Sequence, residues 1–130
     1  RHIAVDTDGR LLMINTTPAD LSDSAGAMAI LEAIRKRWPW VKHLFADGGY
    51  DRLTLMDKAA YLRFVVEIIR RSEQQKGFQI LPRRWVVERT FGWMMRWRRL
   101  VRDYEKRIDV SHAMIHVAMG SLLVRRNAHP

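Results

Sequence analysis

The order of apolar and polar positions divides the chain into short strands and amphipathic helices. Arg1 to Thr7 alternates, with Ile3 and Val5 on one face, and reads as a strand. Asp8-Gly9 then gives a strong hairpin signal, and Leu11 to Thr17 reads as the returning strand, stopped by Pro18. Ser22 or Asp23 can cap a helix that runs to about Trp38, with Ala27, Met28, Leu31 and Ile34 at helical spacing and Pro39 beyond its end. Val41 to Ala46 is a short apolar strand, closed by Asp47-Gly48-Gly49-Tyr50. A helix over Arg52 to Tyr61, a strand over Arg63 to Ile69 and a polar loop over Ser72 to Phe78 follow. Proline is tolerated in a first helical turn, so a long helix is predicted from Pro82 past Leu100, and a last one over Val110 to Arg125. The order β-β-α-β-α-β-α-α predicts an α/β fold, with a mixed sheet flanked by helices, in a single domain over residues 1–130.

Charge changes the picture. The 23 Lys and Arg against 14 Asp and Glu give a net charge of +9, which asks for a polyanionic partner. Residues 83–107 hold nine basic and three acidic side chains, so most of the excess sits on the long predicted helix and just past it. An anionic membrane is the rival partner and would need a basic helix with an exposed apolar face. No apolar run approaches the roughly 18 residues that span a bilayer. The absence of cysteine excludes disulfides and thiolate metal sites and fits a reducing compartment. The chain begins directly in strand-like sequence without methionine, which suggests a start inside a larger domain.

Two carboxylates stand out. Asp47 follows a buried strand and precedes two glycines, and ligand sites of α/β sheets gather at the carboxyl ends of strands. The plainer reading is a turn cap. Glu88 lies among arginines on the long helix, away from an apolar arc of Val86, Val87, Phe91, Trp93, Met94, Trp97, Leu100 and Val101, and in an arc shared with Arg84, Arg99 and Arg102. Its plainer reading is an i,i+4 ion pair with Arg84; its functional one is an active-site carboxylate beside phosphate-gripping arginines. Trp93 and Trp97 read as core. His112 and His116 share a helix face but lack a third ligand, and read as neighbours of a packed face of Met114, Val117, Ala118 and Leu122. Asp6-Thr7-Asp8-Gly9 lacks the downstream glutamate of a calcium loop and reads as a turn.

Three segments carry a family resemblance: Arg1-His2-Ile3-Ala4-Val5-Asp6-Thr7 with Gly9, Ala46-Asp47-Gly48-Gly49-Tyr50, and Leu81-Pro82-Arg83-Arg84-Trp85-Val86-Val87-Glu88-Arg89-Thr90-Phe91, continued by Arg98-Arg99-Leu100 and Asp103-Tyr104-Glu105. In these the chain resembles DDE transposases of bacterial insertion sequences, of the family-five type. The resemblance implies a ribonuclease-H-like fold, DNA cleavage and strand transfer, and two Mg²⁺ (or Mn²⁺) ions held by Asp, Asp and Glu. Asp47 would be the second aspartate, Glu88 the glutamate and Arg84 the arginine four residues before it. Arg84, Arg96, Arg99 and Arg102 would hold DNA phosphates. The first aspartate is expected on a central strand before Arg1, so the domain is expected to be partial and completed by upstream polypeptide; Asp6 aligns with the hairpin end instead. The basic residue the family favours seven positions after the glutamate is replaced by Met95. The resemblance further implies a homo-oligomer acting on element ends and target DNA in the bacterial cytoplasm, at the nucleoid. The alternatives are a remnant that binds DNA without cutting it, the second half of a split or frameshifted transposase, and an unrelated basic RNA-binding protein.

Overall fold

The computed structural model describes residues 1–70, 76–77 and 80–129. Strands β1 (His2–Val5) and β2 (Leu11–Asn15) form a hairpin, followed by α1 (Asp23–Arg37), β3 (His43–Asp47), a 3-10 turn (Gly48–Tyr50), α2 (Leu53–Tyr61), β4 (Val65–Ile69), α3 (Pro82–Met94), α4 (Arg98–Val101) and α5 (Ile108–Ala128). Each predicted element is present within a few residues of its expected bounds, except the long helix. The loop expected over Ser72 to Phe78 lies largely outside the described residues.

The strands do not join into one sheet among the described residues. Among the described residues, β1 pairs antiparallel with β2, and β3 pairs parallel with β4, in two separate ladders. Helices tie the ladders together. Ile30, Leu31 and Ile34 of α1 form a core with Leu55, Ala59 and Phe64, against which Ala4 and Met13 of the first ladder and Leu44 and Val66 of the second all lie. On the other side, α3 touches both β1 and β3. Each of the four strands has one edge unpaired among the described residues. Strand pleating turns Ile3 and its partner Ile14 the opposite way from Ala4 and Met13. Ile14 joins a second core made by Met94, Leu100, Ile115, Ala118 and Met119.

The helix expected to run past Leu100 ends at Met94, and α4 starts again at Arg98. In a continuous helix Met94 and Leu100 would point about 120° apart. Both are nearly fully buried in the same core, and the break lets both reach it. The arc proposed to unite Glu88 with Arg99 and Arg102 therefore does not exist as one helix face. Two apolar assignments also change. Val101 is exposed, and so is Val117 of α5, whose packed seam runs through Ser111, Ile115, Ala118 and Met119. Trp97 packs on the core, whereas Trp93 is held at its margin between the Arg89 and Arg126 guanidinium groups, 4.8 and 5.3 Å from its ring centroid.

His2 anchors the start of α1 to the hairpin. Its ring is buried, and Nε2 lies 2.9 Å from Thr17 Oγ1. The ring occupies the space above Gly26, where an added Cβ would come within 2.3 Å of Nε2. Alanine at a helix-interior glycine ordinarily stabilises by about 1 kcal/mol. Here Gly26→Ala is expected to destabilise by about 1–3 kcal/mol, since the imidazole must move and lose Thr17. Thermal unfolding checks this: a higher Tm for Gly26→Ala would contradict the packing, and adding His2→Ala should restore part of the helix gain.

Candidate active site

Asp47 is the last residue of β3 and the N-cap of the 3-10 turn. Its Oδ1 accepts a 2.9 Å hydrogen bond from the Gly49 amide, so the turn reading is correct as far as it goes. The carboxylate is exposed, its second oxygen accepts no hydrogen bond among the described residues, and no basic side chain there pairs with it. Pleating puts Asp47 on the same outer face as Phe45 and His43. Helix α3 reaches this face, with the Arg83 guanidinium 4.8 Å from the Phe45 ring centroid. The same helix carries Glu88, whose Oε1 accepts a 3.0 Å hydrogen bond from Arg84 Nε, both side chains being about half exposed.

The remaining basic residues expected at the site differ in their engagement. Arg99 is paired with Glu105 beyond the break. Arg96 and Arg102 are exposed and make no ion pair among the described residues. Arg96 instead flanks a small cleft with Trp93, Trp97, Ser121 and Arg125. His112 and His116 stand with ring centroids 6.4 Å apart, and no group of three or more His, Cys, Asp or Glu among the described residues could hold a metal ion. Asp6 is spent on the hairpin, its Oδ1 accepting from the Asp8 and Arg10 amides.

Two residues beside Asp47 escaped the reading of the sequence. A Cβ built on Gly49 would lie 2.9 Å from Asp23 Oδ2 and 3.1 Å from Asp47 Oδ1, so Asp23, in the first turn of α1, faces Asp47 across one residue. Tyr50 closes the same turn. Burial, then the Asp23 and Asp47 carboxylates, pushes its phenol up to about 12. His2 Nδ1 lies 3.7 Å from Asp23 Oδ1, and burial holds this imidazole below its usual range while Asp23 pulls the other way. In the sequence Asp23 stood out only as a possible helix cap, and nothing local linked it to Asp47.

An exposed carboxylate at a strand end, beside an arginine-rich helix, sits in a basic α/β domain. Residues 1–123 match the family model described as Transposase DDE domain, and the chain belongs to that family. It is 29% identical over 129 residues to a Burkholderia cepacia protein named "Putative transposase for insertion sequence element IS402", over 88% of this chain and 57% of that protein. The chain thus spans little more than half the length of the curated relative it matches. No solved structure matches it. No helix among the described residues is long and apolar enough to cross a membrane.

Proposed function

We propose that residues 1–130 are part of the catalytic domain of a family-five-type insertion-sequence transposase, a ribonuclease-H-like unit that cuts and joins DNA ends. The observation that carries this reading is the placement of Asp47 at the end of β3, on the face reached by the helix that bears Glu88. Both are hard oxygen donors open to solvent, a donor set that suits Mg²⁺ or Mn²⁺. Asp47 would bind through the oxygen not used by the Gly49 amide, and Glu88 through a carboxylate that Arg84 holds in place. When bound, such ions supply Lewis acidity at the scissile phosphate and activate the attacking oxygen. The chain's own part is to fix those carboxylates, to grip the flanking phosphates with Arg84, Arg96, Arg99 and Arg102, and to leave the strand end accessible to a duplex.

The site would be completed by a third carboxylate on a further strand beside β1 and β3, both of which α3 touches and whose second edges are unpaired among the described residues. The active form is read as a homo-oligomer that brings element ends and target DNA together.

The deciding assay is Mg²⁺-dependent nicking of DNA carrying the element's ends by the full-length protein, with Asp47→Asn and Glu88→Gln as variants. Loss of nicking in both, with DNA binding kept, is the expected result. DNA binding without nicking in the unmodified protein would favour a remnant that only binds.

The salt dependence of DNA binding separates the arginines. Each phosphate contact contributes about one unit to the slope of log K against log salt. Arg96→Ala and Arg102→Ala are each expected to shallow it by about one. Arg99→Ala is expected to do less, because Glu105 already neutralises that side chain. An unchanged slope for both Arg96→Ala and Arg102→Ala would remove them from the interface.

A further inference from the structure

The turn after β3 is flanked by two carboxylates, not one. A Cβ built on Gly49 would lie 2.9 Å from Asp23 Oδ2 and 3.1 Å from Asp47 Oδ1, the oxygen that accepts the Gly49 amide, so the two carboxylates are at most about 6 Å apart at these atoms. Like charges at this separation repel unless something positive lies between or beside them. No Lys or Arg among the described residues pairs with either carboxylate.

The ordinary structural duty of Asp23 is already taken. Ser22 caps α1, its Oγ accepting from the Ala25 amide at 3.3 Å. Asp23 accepts no hydrogen bond among the described residues, and its side chain is 58% exposed. What faces it from within the protein is His2. That side chain is 6% exposed, its Nε2 is engaged with Thr17 Oγ1, and its Nδ1, a buried polar atom without a hydrogen-bond partner among the described residues, lies 3.7 Å from Asp23 Oδ1. Ligating carboxylates are commonly oriented by a hydrogen bond from behind, and at 3.7 Å the His2 imidazole is placed to supply one to Asp23 after a small shift. The helix N-terminus adds a field that favours negative charge at Asp23.

We propose that Asp23 is a further carboxylate of the Asp47 site, sharing a divalent cation with Asp47 across Gly49, with His2 as the residue that orients it. The inference rests on the reading of Asp47 as a metal-binding residue. Mg²⁺ and Mn²⁺ commonly take one or two carboxylates and complete their shells with water and phosphate oxygens, so this pair needs no third protein ligand to contribute. A Cβ at residue 49 would crowd both carboxylates.

The test is Mn²⁺ titration of the full-length protein without DNA, followed by calorimetry, so that binding is read apart from catalysis. Asp23→Asn keeps the size of the side chain and is expected to weaken Mn²⁺ binding about 10-fold or more. Asp23→Glu should recover part of the loss, which a purely structural role would not require. Gly49→Ala is the independent variant: it leaves every carboxylate in the chain yet should weaken binding comparably by crowding the pair. If Asp47→Asn weakens Mn²⁺ binding while Asp23→Asn and Gly49→Ala leave it unchanged, the shared site is wrong and the proposed function stands. If Asp47→Asn also changes nothing, Asp47 does not hold the ion, and both readings fall.

Discussion

Asp47→Asn is expected to lower Mg²⁺-dependent nicking by about 10³-fold or more while the protein stays folded. On the proposed function, the loss follows from removing an ionised oxygen from a cation that would supply several kcal/mol of charge stabilisation, each ~1.4 kcal/mol being tenfold in rate. Retention of the fold follows from the local geometry. The asparagine carbonyl can still accept the Gly49 amide as Asp47 Oδ1 does at 2.9 Å, so the 3-10 turn keeps its cap. The substitution also removes one of two facing negative charges, so stability should hold to within about 0.5 kcal/mol or rise slightly. Asp47→Ala makes a useful contrast. It deletes the acceptor as well as the charge and should cost about 1 kcal/mol through the lost cap. Glu88→Gln belongs with the asparagine variant, because an amide oxygen can still accept from Arg84 Nε. Urea denaturation set beside the nicking rate separates the cases. A folded Asp47→Asn protein that nicks at the normal rate would refute the assignment of Asp47.

Much of this architecture was legible because it is local. Alternation in β1 and β2, the Asp8-Gly9 turn, the Ser22 cap and the prolines that bound α1 and open α3 each act within a few residues. The helix break after Met94 was not, because Gly92 alone stands near it and no proline follows closely. Trp93-Met94-Met95-Arg96-Trp97-Arg98-Arg99 has good helical composition, and only the demand that Met94 and Leu100 enter one core interrupts it. Nor could periodicity show that the four strands form two ladders, since pairing is decided between elements far apart in the chain.

The site divides in the same way. Asp47 and Glu88 were visible through their neighbours: two glycines in one case, a run of arginines in the other. Asp23 was visible only as a possible cap, because its meaning comes from His2, 21 positions before it, and from Gly49, 26 positions after it. Such contacts depend on α1 lying across both ladders, and that follows from burial of Ile30, Leu31 and Ile34. The fold thus converts an exposed, ordinary aspartate into a neighbour of the candidate catalytic one.

Gly9→Ala is expected to be the most destabilising single substitution among the turns, by about 3–4 kcal/mol. Gly9 has φ +82°, a left-handed conformation in which a Cβ costs about 1–2 kcal/mol. The space is also taken: an added Cβ would lie 2.8 Å from Thr90 Oγ1 and 3.0 Å from Trp93 Cζ3. Relief by movement would disturb a dense set of contacts. Thr90, fully buried, donates to Gly9 O at 3.1 Å, while Arg89 and Arg126 both donate to Asp8 O at 3.0 and 3.1 Å. These bonds dock the hairpin onto α3 and α5; Thr90 Oγ1 can also donate to Val86 O at 3.0 Å and the arginine bonds are exposed, so backbone strain and crowding account for most of the cost. A double-mutant cycle isolates the steric part. Thr90→Ala is destabilising by itself, but it removes the atom nearest to the new methyl group. Gly9→Ala should therefore cost at least about 1 kcal/mol less in the Thr90→Ala background than in the unmodified protein. Equal costs in both backgrounds would mean that the hairpin turn does not sit against Thr90, and an unchanged urea midpoint for Gly9→Ala would mean that residue 9 does not adopt positive φ. Since the same hairpin holds β1 and hence His2 against α1, a loosened turn should also weaken the support behind Asp23, coupling a stability defect at one end of β1 to the candidate site at the other.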